Sequence, residues 1–277
     1  MATYIGIDFS GGARPWRAEV LRPTVWLAFL QSYSGKLKYS GKLKLKQLLP
    51  VQALEGDGTP FDRLVCLLMA GEYEAAAIDA PFSLPARHMP SGGLTELLQK
   101  VRVLPNGADR PFPLGRQIVE MGESIAVKDR AKPLRATEAY WTARGVNTRS
   151  TMWAGARGGA SFTAACLRLL ERTRRPCWPW ATSNNGMLVE AFPAAQLIHW
   201  GLPYQRYSGP EGSKTRVLIL NGLRSRLSFS SNQTKLMIES ADALDATIAA
   251  FAAMAVATRR VFDFKTAPVD GFISVAK

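Results

Sequence analysis

Ser240-Ala-Asp-Ala-Leu-Asp-Ala-Thr-Ile-Ala-Ala-Phe-Ala-Ala-Met-Ala-Val-Ala257 is the stretch on which the rest of the chain is organised. Ala, Leu and Met favour helix, and neither Gly nor Pro interrupts the run. Ser240 is placed to cap the helix, and Asp242 suits the positive end of its dipole. Beyond Asp245 the residues are so small and apolar that the pattern predicts burial over most of the helix surface. Asp242 and Asp245 stand at i and i+3, on one face, with Cβ atoms about 5–6 Å apart. Carboxylates held that close repel each other unless a proton or a cation relieves them. On this helix alone, one capping and one solvated carboxylate explain the pair equally well.

The chain has 277 residues, of which 47% are hydrophobic and 21% charged, the composition of a soluble globular protein with a sizeable core. The longest apolar run, Ala246 to Ala257, is shorter than the roughly 18 residues of a membrane span. The N-terminus lacks the pattern of a signal peptide. Cys66, Cys166 and Cys177 have no paired spacing and are expected to be buried, reduced thiols, so a cytoplasmic location is the expectation. Thirty-five Lys and Arg against 22 Asp and Glu give a net charge of +13, which points to a polyanionic partner, nucleic acid first.

Thr3-Tyr-Ile-Gly-Ile-Asp-Phe9 reads as a strand ending in the turn Ser10-Gly11-Gly12. Residues 16–20 and 25–33 are two further strand candidates, which together predict an antiparallel meander of three strands. From Lys36 to Lys46 there are five lysines and no acid, including Lys36, Lys38, Lys42 and Lys44. They suit either an edge strand kept soluble by charge or a phosphate-binding face. A short helix at 61–69 leads to a strand over 73–79 that ends at Asp79 before Ala80-Pro81. Residues 86–185 are irregular, with helices near 94–101, 135–144 and 161–174, and read as an insertion or lid on a single domain spanning 1–277. Residues 186–190 give another apolar strand with Glu190 at its end, followed by a helix opened by Pro193. A basic helix over 214–227, the organising helix and a short closing strand at 271–275 complete an α/β chain.

Separate elements thus end in Asp8, Asp79, Glu190 and the Asp242/Asp245 pair. Acids embedded in apolar runs are costly to bury unpaired. Several together are explained by a divalent metal, and oxygen-only ligands select Mg2+ or Mn2+ over zinc. Two such ions activate water and stabilise the leaving oxygen of a phosphodiester without a histidine. His199 reads as a core histidine; His88 lies in a Pro-rich loop after Asp79.

Ile5-Gly-Ile-Asp-Phe-Ser10, Ile78-Asp-Ala-Pro-Phe-Ser83, Arg135-Ala-Thr-Glu138, Val189-Glu-Ala-Phe-Pro193 and Asp242-Ala-Leu-Asp-Ala246 together resemble a family of uncharacterised proteins described as predicted nucleases of the RNase H-like superfamily. Glu138 stands where that family's Arg-x-Thr block usually carries Asp. The resemblance implies a mixed sheet, with strands 1–3 antiparallel and the later ones parallel, flanked by helices. It further implies metal ligands at Asp8, Asp79 and Asp245, with Asp242 and Glu190 as further ligands or immediately behind them. The implied activity is metal-dependent hydrolysis of DNA or RNA. Arg135 is then expected to pair with the site carboxylates or with substrate phosphate, or simply with Glu138 or solvent; Ser10 and Ser83 are candidate donors to phosphate or to a ligand's second oxygen.

Two other readings stay open. Ile5-Gly-Ile-Asp-Phe-Ser-Gly-Gly12 also resembles the first phosphate turn of actin-like and sugar kinases, though no second such loop is found. The lysine stretch, with Tyr39 and Trp153, would also serve a binder of nucleic acid without catalysis.

Overall fold

The structure, a computed structural model, describes residues 1–32, 43–127, 132–263 and 268–277. Strand β1 (Ala2–Asp8) pairs antiparallel with β2 (Trp26–Ser32), and β2 pairs antiparallel with β3 (Leu43–Pro50). Helix α1 (Pro60–Ala70) begins in a capping box between Thr59 and Asp62 and stops at Gly71, which takes the left-handed conformation that favours glycine. It crosses back to β4 (Ala75–Asp79), which pairs parallel with β1. Helices α2 (Gly93–Arg102), α3 (Gly115–Ile125), α4 (Ala136–Thr142) and α5 (Ala160–Thr173) precede β5 (Met187–Glu190), parallel to β4. Then come α6 (Pro193–His199), α7 (Ser213–Leu223), the two-residue β6 (Leu227–Ser228), α8 (Ser231–Glu239) and α9 (Ala241–Ala257). The sheet order is β5-β4-β1-β2-β3-β6, a mixed α/β sheet with the antiparallel part at β1–β3.

Alternation along the strands divides the core in two. Ile5, Ile7, Ile78 and Leu188 face a layer of α1, α2, α3 and α5. Tyr4, Ala77 and Val189 face a layer of α6 to α9. The stretch read from sequence as an insertion therefore supplies helices that cover one face of the sheet.

Gly6 shares the second face, and α9 lies directly on it. A Cβ at Gly6 would stand 2.0 Å from the Ala246 carbonyl oxygen and 2.3 Å from the Ala250 nitrogen. Backbone therefore meets backbone, which explains both the glycine in the strand and the alanines in the helix.

Several expectations are corrected. Residues 16–20 form no strand: a 3-10 turn at Arg14–Trp16 draws Trp16 into the core against Phe9 and Phe61, and its indole donates to the Ser10 carbonyl at 3.0 Å. Burial of that ring outweighs local strand propensity, and β3 supplies the third antiparallel strand. The helix expected to reach 227 ends at Leu223 and gives way to β6. Residues 271–275 make only isolated bridges, Ala191 with Ser274 and Val261 with Ala276 nearby, as a strap and not a strand. Helices α3 and α8 escaped notice because Gly115, Gly122, Asn232 and Thr234 are poor helix formers. Cys66 is exposed on α1, whereas Cys166 and Cys177 are buried. Among the described residues no single helix is long and apolar enough to cross a membrane.

Gly6→Ala is expected to destabilise the fold by more than about 3 kcal/mol, since α9 itself must move. At Gly12 a Cβ would meet Pro15 at an ordinary 3.5 Å, so Gly12→Ala should stay within about 1 kcal/mol of wild type. Urea denaturation of both variants checks the contrast.

Candidate carboxylate site

Asp8 and Asp79 end adjacent parallel strands and are register partners, which sets their Cα atoms about 4.8 Å apart. Period-2 alternation turns both toward α9, on the face of Gly6 and Ala77. Because Ala246 rests on Gly6, the preceding turn of α9 carries Asp242 and Asp245 to the end of β1. Ser240 caps that helix, its Oγ accepting from the Ala243 amide at 3.1 Å. Asp242, in the first turn, is therefore not the cap. Asp8, Asp79 and Asp242 line a cleft of about 670 Å³, and Asp8 is only 9% exposed.

The electrostatics are one-sided. Burial raises the Asp8 carboxyl well above its ordinary range, and the fields of Asp245, Asp79 and Asp242 push it further the same way. Burial and then the Glu190 charge raise Asp79 to about 7, with Arg149 opposing. Burial takes Asp242 to about 6 against the pull of Arg216. Asp245 is raised well above normal by burial and by Asp79, although the Tyr207 hydroxyl donates to its Oδ1 at 2.8 Å. Sequence reading missed Tyr207, which lies with Tyr204 in an irregular loop with no local signal of its role.

Glu190 belongs to a different arrangement. It pairs with Ile78 in register, on the opposite face of the sheet from Asp79's neighbour Ala77. Both Arg135 guanidinium ends donate to it, Nη2 to Oε1 at 2.5 Å and Nη1 to Oε2 at 2.7 Å, and the Phe82 amide adds 3.1 Å. Arg135 Nε donates to Glu138 at 3.0 Å. Arg135 is 1% exposed, and this pairing keeps it charged. Of the roles the sequence left open, the structure gives it the carboxylate partners Glu190 and Glu138. Ser83 is fully buried, accepting from Arg135 Nη1 at 3.1 Å and donating to the Asp270 carbonyl at 2.6 Å. It therefore stands inside the wall and not in the cleft, which corrects its expected place as a phosphate donor.

Ser10 lines the cleft and accepts from the Gly12 amide at 3.2 Å. Lys36, Lys38, Lys42 and Tyr39 lie outside the described residues. Lys44 pairs in register with Gln31, itself opposite Thr3, whereas Asp8 is opposite Trp26. Lys44 thus sits at the far end of the sheet, on the order of 15 Å from Asp8 along the strand direction, and cannot share its substrate phosphate. Among the described residues the exposed cations at the cleft are instead Arg149 and Arg206; Arg135, which also lines it, is buried. His88 is in the core, its Nδ1 3.1 Å from the Gly122 carbonyl, and His199 stacks on Phe262.

Gly11 is glycine for packing: a Cβ there would stand 2.3 Å from the Ser161 carbonyl carbon at the start of α5. Of the two glycines in the turn that resembles a phosphate loop, Gly11 is thus pressed against a helix. As for a cation, the donors suit a hard divalent ion in kind, being carboxylate oxygens in a shared field. Among the described residues, however, no three His, Cys, Asp or Glu side chains are gathered as a ready-made ligand shell.

A family model described as protein of unknown function (DUF429) matches residues 22–265, a span that begins after β1 and Asp8. No curated protein and no solved structure matches the chain.

Two stability effects follow. The cluster's folded-state pKa values lie above the unfolded value of about 3.9, so the native state holds more protons between them and its stability falls as pH rises. In chelator, the melting temperature should fall from pH 5 to pH 8, through the Asp242 and Asp79 values near 6 and 7. Asp79→Asn should flatten that slope and raise stability at pH 8 by about 1–3 kcal/mol. Conversely, Arg135→Met strands two buried carboxylates and should cost about 3–5 kcal/mol in urea denaturation.

Proposed function

We propose that this chain, which belongs to the DUF429 family, hydrolyses phosphodiester bonds of nucleic acid at the carboxylate cleft with Mg2+ or Mn2+. The observation that carries the reading is Asp8, buried at the end of β1 beside its register partner Asp79: burial and three neighbouring carboxylates press on it, and among the described residues no hydrogen bond or cation is set against them. Such an arrangement opposes folding, and binding a divalent cation would relieve it. The sheet agrees with an RNase H-like arrangement, antiparallel at β1–β3 and parallel at β4 and β5.

Asp8, Asp79, Asp242 and Asp245 would hold the cations. When bound, these supply Lewis-acid polarisation of the phosphoryl group and an activated water. Arg149 and Arg206 at the cleft would seat backbone phosphates through their planar forks. Glu190, paired with Arg135, holds the cleft wall and adds negative charge near Asp79. A small-molecule phosphotransferase has less support, because Gly11 is committed to packing against α5. The basic charge of the chain also suits a binder without catalysis, and affinity for nucleic acid that ignores Asp8 would identify one.

Purified protein with Mn2+ should cleave at least one member of a panel of single-stranded, duplex, hybrid and branched DNA and RNA. Asp8→Asn should lose about a hundredfold or more of that rate, while Arg206→Ala should raise KM several-fold with little change in melting temperature. Absence of cleavage across the panel, or equal cleavage by Asp8→Asn, sinks the reading.

A further inference from the structure

The segment between α6 and α7 contains a side chain aimed at the acid cluster from outside it. Tyr207 is 8% exposed and lines the cleft, and its hydroxyl meets Asp245 Oδ1 at 2.8 Å. A phenylalanine would fill the same space. The hydroxyl must therefore be explained by its bond, since a buried phenol without a partner costs free energy.

Tyr207 is itself held. Arg216 of α7, 2% exposed, donates through Nη1 to the Tyr207 carbonyl and, at 2.8 Å, to that of Gly209. Its Nε donates to the Ile238 carbonyl at 2.7 Å. Ile238 is in the last turn of α8, and Ser240, two residues on, caps α9. One guanidinium therefore ties the loop bearing Tyr207 to the helix end that feeds Asp242 and Asp245. The loop leaves no slack: at Gly212 a Cβ would stand 2.2 Å from the Tyr207 carbonyl oxygen.

We propose that Tyr207 is a positioning residue for divalent-cation binding: its hydroxyl fixes one oxygen of Asp245 and so orients the carboxylate, and Arg216 fixes Tyr207. The inference rests on the cation-binding reading of the same cleft. A carboxylate restrained at one oxygen is pre-turned toward its ligand, and loss of such supporting bonds characteristically weakens metal affinity by about 10–100-fold.

Mn2+ affinity, measured by calorimetry and by the paramagnetic resonance of free Mn2+, tests this without reference to turnover. Tyr207→Phe should melt in chelator within a few degrees of wild type yet bind Mn2+ about tenfold or more weakly. Arg216→Lys keeps the charge but loses the three-point hold, and should weaken Mn2+ in the same direction. Asp245→Asn should remove most of the affinity. If wild type binds Mn2+ and both Tyr207→Phe and Arg216→Lys bind it equally well, the positioning role is overturned and the function stands. If wild type itself binds no Mn2+, the cation reading fails, and this inference with it.

Discussion

The contact on which the rest depends is the seating of α9 on β1 at Gly6. With no side chain between them, the helix lies against the strand at the Ala246 carbonyl and the Ala250 amide. That approach fixes the helix along the strand as well as above it, because a shift would drive the carbonyl into the sheet. Asp245 adjoins Ala246, and Asp8 lies two residues beyond Gly6. The packing contact and the placement of the acids are thus one geometric fact. β4 adds the third element: its parallel register with β1 sets Asp79 beside Asp8.

The molecule treats its two groups of buried acid in opposite ways. Glu138 and Glu190 share Arg135, with Ser83 and the Phe82 amide completing the hydrogen bonds. This network joins α4, β5 and the strap, where Asp270 accepts from the Ala136 amide at 2.8 Å. Among the described residues the aspartates across the sheet have no such cation; Arg216 and Arg149 act on them only through their fields. Buried charge left in that state is stability forgone, and such forgone stability concentrates where chemistry is done. Two arginines at the cleft, Arg149 and Arg206, are exposed at its surface, as expected of groups meeting a polyanion from solvent.

Much of the site was legible in short runs of sequence. Ile5-Gly-Ile-Asp8 and Ala75-Ala-Ala-Ile-Asp79 each announce a buried strand with an acid at its end, because alternation and the following turn or proline are local signals. The helix over 240–257 declared itself by composition. Local signals misled where tertiary packing decided the outcome: Trp16 abandoned strand for a turn to reach Phe61, and Lys44 of β3 sits at the end of the sheet remote from Asp8. Glu190 ends a strand as Asp8 and Asp79 do, yet strand parity turns it to the other face, where Arg135 holds it in the cleft wall.

By itself the sequence determined an α/β fold, an apolar helix bearing Asp242 and Asp245 at its start, and strands that end in acids, since each rests on propensity and period within a few neighbouring residues. Only the tertiary structure decided which acids share a field, that Arg135 answers Glu190 as well as its chain neighbour Glu138, and that Tyr207 and Arg216 stand behind Asp245. Arg135 and Glu190 stand 55 residues apart in the chain and Tyr207 and Asp245 38 apart, and such partners are chosen by strand register and by helix seating, which no local run of residues encodes.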